Sequence, residues 1–464
     1  MEPPQIVVAA HTTGTRLSPD IESLYSSYSG PFHSHLHSRY IYTHSECSSS
    51  LSSISVLERI AAARARPVSS YMRIGGMLII IAMSSGVCAI HGIFESDYEV
   101  QFAQYFEEGL ERSRTASLIG ALQLATFIGV HGTNLSLLIS RRLDARVSIL
   151  VGAVLCGGGM LAAGFANAVW QLCLAQGIMV GLGAALSSGA AAAAIGIAGL
   201  PTTVERYVEK SAAIWTAAGI GGGALTLGAR KLVVVGSTES ALRWLALIVL
   251  VGQCVGALLM GRVSFALATL DAQVSDMDNP KRSRTPLTNR ISVFTLASWA
   301  FLYMSVFVPL IFIPGYASTQ LANSSALSGA SHLSTICFAS SVGSLIPISS
   351  RLPQMVASLA PRVLLALSLW CLWLPSADSW AMTYAFCAVF GLALGATAAQ
   401  WQDGDGCLVL ALSCAAAVLI GVPVAGWLFV AVGSGDYYVP TITFSAAASL
   451  LAALAWAVGQ GKQT

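Results

Sequence analysis

His91, His131 and His332 are the histidines that fall inside long apolar stretches of this 464-residue chain. Imidazole changes charge close to neutral pH, so a histidine held in an apolar setting can take up and release a proton. His91 lies at one end of its stretch, so the chemistry falls first to His131 and His332. Gln123, Asn134, Gln176, Trp215, Trp299 and Tyr303 occupy the same kind of stretch. Such groups can hydrogen-bond or stack on a small organic molecule. For any one of them, bridging neighbouring helices is the commoner role. No Asp, Glu, Lys or Arg stands near the middle of a stretch. A cavity formed there lacks a fixed cation, which disfavours a small bare carboxylate and favours a neutral or amphipathic solute that responds to pH between about 5 and 8.

Grouped His and Asp residues at helix ends, the usual mark of a membrane enzyme, are missing from the stretches, so neither catalytic residues nor a cofactor is expected. Of ten cysteines, Cys88, Cys156, Cys173, Cys254, Cys337, Cys371, Cys387 and Cys414 lie in apolar runs, and none has zinc-site or CxxC spacing. They read as small buried hydrophobes. His33, His35, His37, His44 and Cys47 sit in a polar tract with nothing to fix a metal geometry, so no metal site is assigned.

The elements that position these residues follow from composition. The chain is 55% hydrophobic and 10% charged, against about a quarter charged in a soluble domain. So few charges cannot cover a water-facing surface but can cover a lipid-facing one. A net charge of +2 gives no basic face for nucleic acid. A helix needs about 20 apolar residues to cross a bilayer core. Twelve stretches meet that length: 74–94, 116–138, 147–167, 170–199, 211–235, 244–261, 291–313, 326–349, 355–375, 380–399, 407–429 and 438–459. In lipid each must satisfy its own backbone, so all are helices and the fold class is all-α integral membrane. The 170–199 run is long enough that part of it should tilt or project.

Residues 1–70, rich in Ser, His, Tyr and Pro, read as a disordered tail without a cleavable leader. The longest internal break divides the spans six and six, giving an N-terminal half (71–262), a polar loop (263–290) and a C-terminal half (291–464). With the tail in the cytoplasm, the inner segments carry Arg64, Arg66, Arg73, Arg141, Arg142, Arg146, Lys281, Arg282, Arg284, Arg290, Arg351 and Arg362, while the outer ones hold only Arg112, Arg114, Arg230, Lys231 and Arg243. That asymmetry puts both termini in the cytoplasm. Asn323-Ser324-Ser325 is then a glycosylation sequon in an outer loop, at Asn323.

Small residues mark close helix contacts: Gly177, Gly181 and Gly183, then Gly219 to Gly223, Gly391 and Gly395, Gly421 and Gly426. Pro309, Pro314, Pro347 and Pro423 should bend their helices. The loop Ser140-Arg141-Arg142-Leu143-Asp144-Ala145-Arg146 reads either as topogenic charge or as a gating cluster in which Asp144 meets a cation of the other half.

Several segments resemble the monocarboxylate-porter branch of the major facilitator superfamily in its filamentous-fungal form. They are His91-Gly92-Ile93-Phe94-Glu95-Ser96-Asp97-Tyr98-Glu99, Ser117-Leu118-Ile119-Gly120-Ala121-Leu122-Gln123, Leu174–Gly183 and Gly421–Gly426, spread over most of 74–460. The resemblance implies twelve helices in two six-helix halves around a central cavity, working by alternating access. It also implies a gating set of Asp144, Arg141, Arg142 and Arg146, with Arg351 and Arg362 in the related C-terminal stretch. Both glycines of the family's first loop motif are missing, and Ala357 stands about where an Asp is usual. The basic residue in span one and the Arg/Asp pair in span eight of small-carboxylate carriers are missing too. The resulting expectation is a plasma-membrane secondary transporter, proton-linked or facilitative, that exports a hydrophobic secondary metabolite. Its partners would be that small molecule, protons and the bilayer, with no obligate protein partner. The rivals are uptake of a monocarboxylate nutrient and a non-transporting sensor or scaffold.

Overall fold

The computed structural model describes residues 67–101, 109–132, 135, 138–140, 144–198, 210–261, 292–321, 328–346, 354–376, 379–400, 408–431 and 438–461. Apart from Pro67 to Ser70, which already belong to the first helix, the expected tail lies outside them, as does the central loop. In chain order the helices are α1 (Pro67–Ala89), α2 (His91–Gln101), α3 (Gly109–Gly132), α4 (Ala145–Ala163), α5 (Val169–Leu172) and α6 (Gly181–Ala198). Then come α7 (Lys210–Val235), α8 (Thr238–Met260), α9 (Val293–Gln320), α10 (Ser328–Ser344) and α11 (Gln354–Ser368). The last are α12 (Trp380–Ala398), α13 (Leu408–Ala431) and α14 (Val439–Gly461). No strand occurs among the described residues.

These helices form twelve rods at the twelve expected stretches. Ten are long and apolar enough to cross a membrane. The second and eighth rods are shorter: Ala116–Gly132 is the apolar part of α3, and α10 has 17 residues. The long 170–199 run is one rod with a widened middle, because a π-helical segment, Cys173–Val180, joins α5 to α6. A second π segment, Leu369–Trp373, extends α11. Neither was legible as periodicity, since one residue of slippage leaves an all-apolar run looking the same.

The rods start where side chains satisfy their open backbone donors. Ser237 and Ser240 form a reciprocal capping box at α8, and Ser292 accepts from the Phe294 amide at α9. Pro309, Pro314 and Pro423 sit inside α9 and α13 without ending them.

The outside of the bundle is apolar, with Val154, Trp170 and Leu258 at 64%, 64% and 76% exposure. Patches of that kind are rare on soluble monomers and suit a lipid surround. Inside, close backbone approach replaces a water-driven core. A Cβ on Gly395 would collide with the Ser340 carbonyl oxygen, so only glycine lets α12 lie against α10. Buried polar groups act as braces. Gln253 donates to Ser84 (3.1 Å) and accepts from Ser187 (3.0 Å), tying α8, α1 and α6 together. Ser305 donates to the Ser445 carbonyl at 2.7 Å, joining α9 to α14.

Among the described residues the most extensive contacts between rods from the two ends of the chain are α3 with α13, α7 with α10, and α2 with α9. On the second, Thr216 Oγ1 lies 2.8 Å from Ser344 Oγ, and Ser341 Oγ donates to the Thr216 carbonyl at 3.1 Å.

Candidate functional site

A cavity of about 240 Å³ lies between these groups of rods. Its wall takes residues from the later part of α1 and the start of α2, from the C-terminal parts of α3, α6, α10 and α12, and from the N-terminal parts of α7 and α9. It therefore reaches toward the end of the bundle where α7 and α9 begin. On another side of the cavity α2 packs closely against α9. A Cβ on Gly92 would stand 2.6 Å from the carbonyls of Leu310 and Ile311, so glycine is what lets α2 seat against α9.

The lining is mostly rings and aliphatic chains: Phe127, Trp215, Trp299, Tyr303 and Phe307, with Leu302, Val306 and Leu310. Trp299, Tyr303 and Phe307 follow one another on one face of α9, with neighbouring ring centroids 6.2 and 5.7 Å apart. Fourfold spacing puts them on successive turns. His131 completes the opposite wall. Its ring stacks on Phe127 at 5.5 Å, and Nδ1 meets Ser188 Oγ at 3.2 Å. Of the residues read from the sequence as pathway residues, the structure thus brings together His131, Trp215, Trp299 and Tyr303.

The others lie elsewhere. Gln123 is buried off the cavity and donates to the Val87 carbonyl at 3.1 Å. Gln176 is buried among α2 residues. Its amide nitrogen faces His91 Nδ1 at 3.3 Å, and its amide oxygen accepts from the Tyr98 hydroxyl. His332 packs under Tyr384, with centroids 4.0 Å apart, and beside Trp380, away from the cavity wall. Asn134 falls outside the described residues.

His91 is placed higher than its sequence position implied. It lines the cavity, and its Nε2 lies 3.3 Å from the Ala116 carbonyl, leaving Nδ1 to accept from Gln176. Sequence reasoning also missed Ser188, Cys88, Cys337 and Ser340 in the wall. Ser188 carried a usable signal, being a hydroxyl in an Ala/Gly run.

Of the gating residues, Asp144 caps α4. It adopts a positive φ of 80° and accepts from the Arg146 amide at 3.5 Å. With ψ at 141°, this backbone lies outside the left-handed helical region. Arg146 is half-buried, and Arg141, Arg142 and Arg351 lie outside the described residues, as does Asn323. The expectation of no charged side chain near mid-span does not extend to the rest of each span, where two are buried. Arg362 is fully buried on the second or third turn of α11, and Glu95 is buried on α2, though neither is at mid-span. Among the described residues no three His, Cys, Asp or Glu side chains gather as a metal site.

Twelve rods around an apolar central cavity define an all-α membrane protein. The chain is similar in fold to the xylose transporter XylE from E. coli in a partially occluded inward-open conformation, at 13% identity and a TM-score of 0.59, covering 82% of this chain and 98% of that one. No family model matches the chain, and no curated protein matches it by sequence.

Proposed function

We propose that this chain is a secondary transporter, not an enzyme, that moves a hydrophobic or amphipathic small organic molecule by alternating access. The observation that carries the reading is the cavity itself. It is ring-lined, shared by rods from both ends of the sequence, and bounded in part by the close α2–α9 contact. The fold shared with a xylose transporter supports movement of a small molecule. The apolar lining favours export of a secondary metabolite from the cytoplasm across the plasma membrane, with both termini cytoplasmic and His131 as the proton-responsive group. On this reading residues 71–262 and 291–464 move as two halves, and Asp144, with the arginines around it, belongs to the cytoplasmic gate.

Uptake of a monocarboxylate is the second reading, favoured by the buried Arg362 near the cavity. The deciding experiment is flux in proteoliposomes. An apolar dye extruded from loaded vesicles, with lactate uptake at the level of empty vesicles, is the expected pattern. Saturable lactate uptake without dye movement would reverse the choice. Failure of both would remove the transporter reading in favour of a sensor.

A further inference from the structure

Where a cavity wall is mostly apolar, its few polar atoms decide what else a cargo must carry. Two hydroxyls in this wall are fully buried, Ser188 on α6 and Thr397 on α12, at 2% and 1% exposure. Each donates to the carbonyl four residues back on its own helix, Ser188 to Ala184 at 2.7 Å and Thr397 to Ala393 at 2.8 Å. A hydroxyl carries one proton and two lone pairs. With the proton held by the helix, only lone pairs are left to offer.

The imidazoles of the wall have committed protons too. Ser188 has none left to give, so its 3.2 Å contact with His131 is a hydrogen bond from Nδ1–H to Ser188 Oγ. That bond fixes the tautomer of the neutral ring and makes Nε2 an acceptor. His91 gives its Nε2 proton to the Ala116 carbonyl at 3.3 Å. Ser188 and His131 thus form a corner of acceptors, across the cavity from the α9 ladder of Trp299, Tyr303 and Phe307. Among the described residues no Asp or Glu lines the cavity, so a cationic amine finds no counter-charge there. The donor that matches the corner is a neutral hydroxyl.

The ladder sets the rest of the cargo, since its ring faces suit a flat aromatic body. At about 240 Å³ the cavity is smaller than the roughly 300–1,000 Å³ of drug-sized sites, which limits that body to a few rings.

We propose that the cargo is a small neutral aromatic alcohol or phenol. Its rings lie along the α9 ladder, and its hydroxyl donates to the corner formed by Ser188 and His131. This names a substrate class for the cavity and rests on reading it as the transport site.

The test uses full-length protein in lipid nanodiscs and two flat probes of similar shape. One is 2-naphthol, which can donate a hydrogen bond, and the other is 2-methoxynaphthalene, which can only accept. Binding is read as loss of tryptophan fluorescence at neutral pH, with the partition of each probe into empty nanodiscs subtracted. Wild type should bind the naphthol about fivefold more tightly, the ratio that one net hydrogen bond of about 1 kcal/mol gives. Ser188→Ala should bring the two affinities within about twofold of each other, because it removes one acceptor and the oxygen that fixes the His131 tautomer. Ser188→Cys should do the same with the shape of the side chain kept, since a thiol is a weak acceptor, and it decides the matter if the alanine variant does not fold. Equal affinities in wild type, or a preference that survives in a folded Ser188 variant, overturn the assignment and leave the cavity reading standing. If neither probe binds wild type, the cavity reading fails, and the assignment fails with it.

Discussion

Cysteines at positions 216 and 344 should make the α7–α10 contact into a reversible brake on transport. In the native chain four possible hydrogen bonds from three hydroxyls cross it: Thr216 Oγ1 with Ser344 Oγ at 2.8 Å, Thr216 Oγ1 to the Ser341 carbonyl at 3.4 Å, Ser341 Oγ to the Thr216 carbonyl at 3.1 Å, and Ser344 Oγ to the Ala212 carbonyl at 3.4 Å. Each hydroxyl has one proton, and these also serve carbonyls of their own helices, Ala212 for Thr216 and Ser341 for Ser344. Three is therefore an upper bound. Hydrogen bonds between membrane helices average about 0.6 kcal/mol, so the contact is worth at most roughly 1.8 kcal/mol, or about twentyfold in an equilibrium constant. A bias of that size lets the two helices part many times in each second. A disulfide does not. Side-chain oxygens in hydrogen-bond contact place the two Cβ atoms near the 3.5–4.5 Å or so that a disulfide spans. The assay oxidises Thr216→Cys/Ser344→Cys protein in vesicles, in a chain with Cys88 and Cys337 changed to Ser, and confirms the link by gel mobility after cleavage between the halves. Flux should fall to background on oxidation and return on reduction. Full flux through demonstrably linked protein would refute the idea that α7 and α10 separate in the cycle.

Asp144→Asn should lower flux at equal membrane abundance, because Asn keeps the cap but not the charge of the gate, whereas Asp144→Ala should in addition lower thermal stability by about 1 kcal/mol; wild-type flux in Asp144→Asn would leave Asp144 as a helix cap alone. His131→Ala should flatten the pH response of transport, since the imidazole is in the wall and Ser188 remains as a neutral partner. His332→Ala should leave that response intact and lower the melting temperature through the lost stack on Tyr384, worth roughly 0.5–1.5 kcal/mol; a flattened profile there would contradict its placement off the cavity. Gly395→Leu should fail to reach the membrane in folded form, read by size-exclusion fluorescence, because overpacking costs about 1–3 kcal/mol and here the obstacle is backbone.

The membrane class, the twelve rods and their order were legible in the sequence because bilayer thickness imposes a length on every span and a near-absence of charge. The Lys/Arg asymmetry on which the proposed orientation rests is legible too, since charge position relative to a span is a property of the chain alone. What lines the cavity was not legible. Along an all-apolar helix nothing in the order of residues says which face meets a neighbour and which meets lipid, so Gln123, Gln176 and His332 looked no different from His131, Trp299 and Tyr303 until packing separated them. The π segment at Cys173–Val180 shifts the register of every later residue in its rod and leaves no periodic trace. Arg362 makes the point most sharply. By sequence it is one more cation close to a span's inner end. Only the convergence of α9, α11, α12 and α14 encloses it between two indole rings with one edge of its guanidinium unsatisfied. Depth along the chain is written in local hydrophobicity, while the partners of a buried charge depend on which helices fold against it.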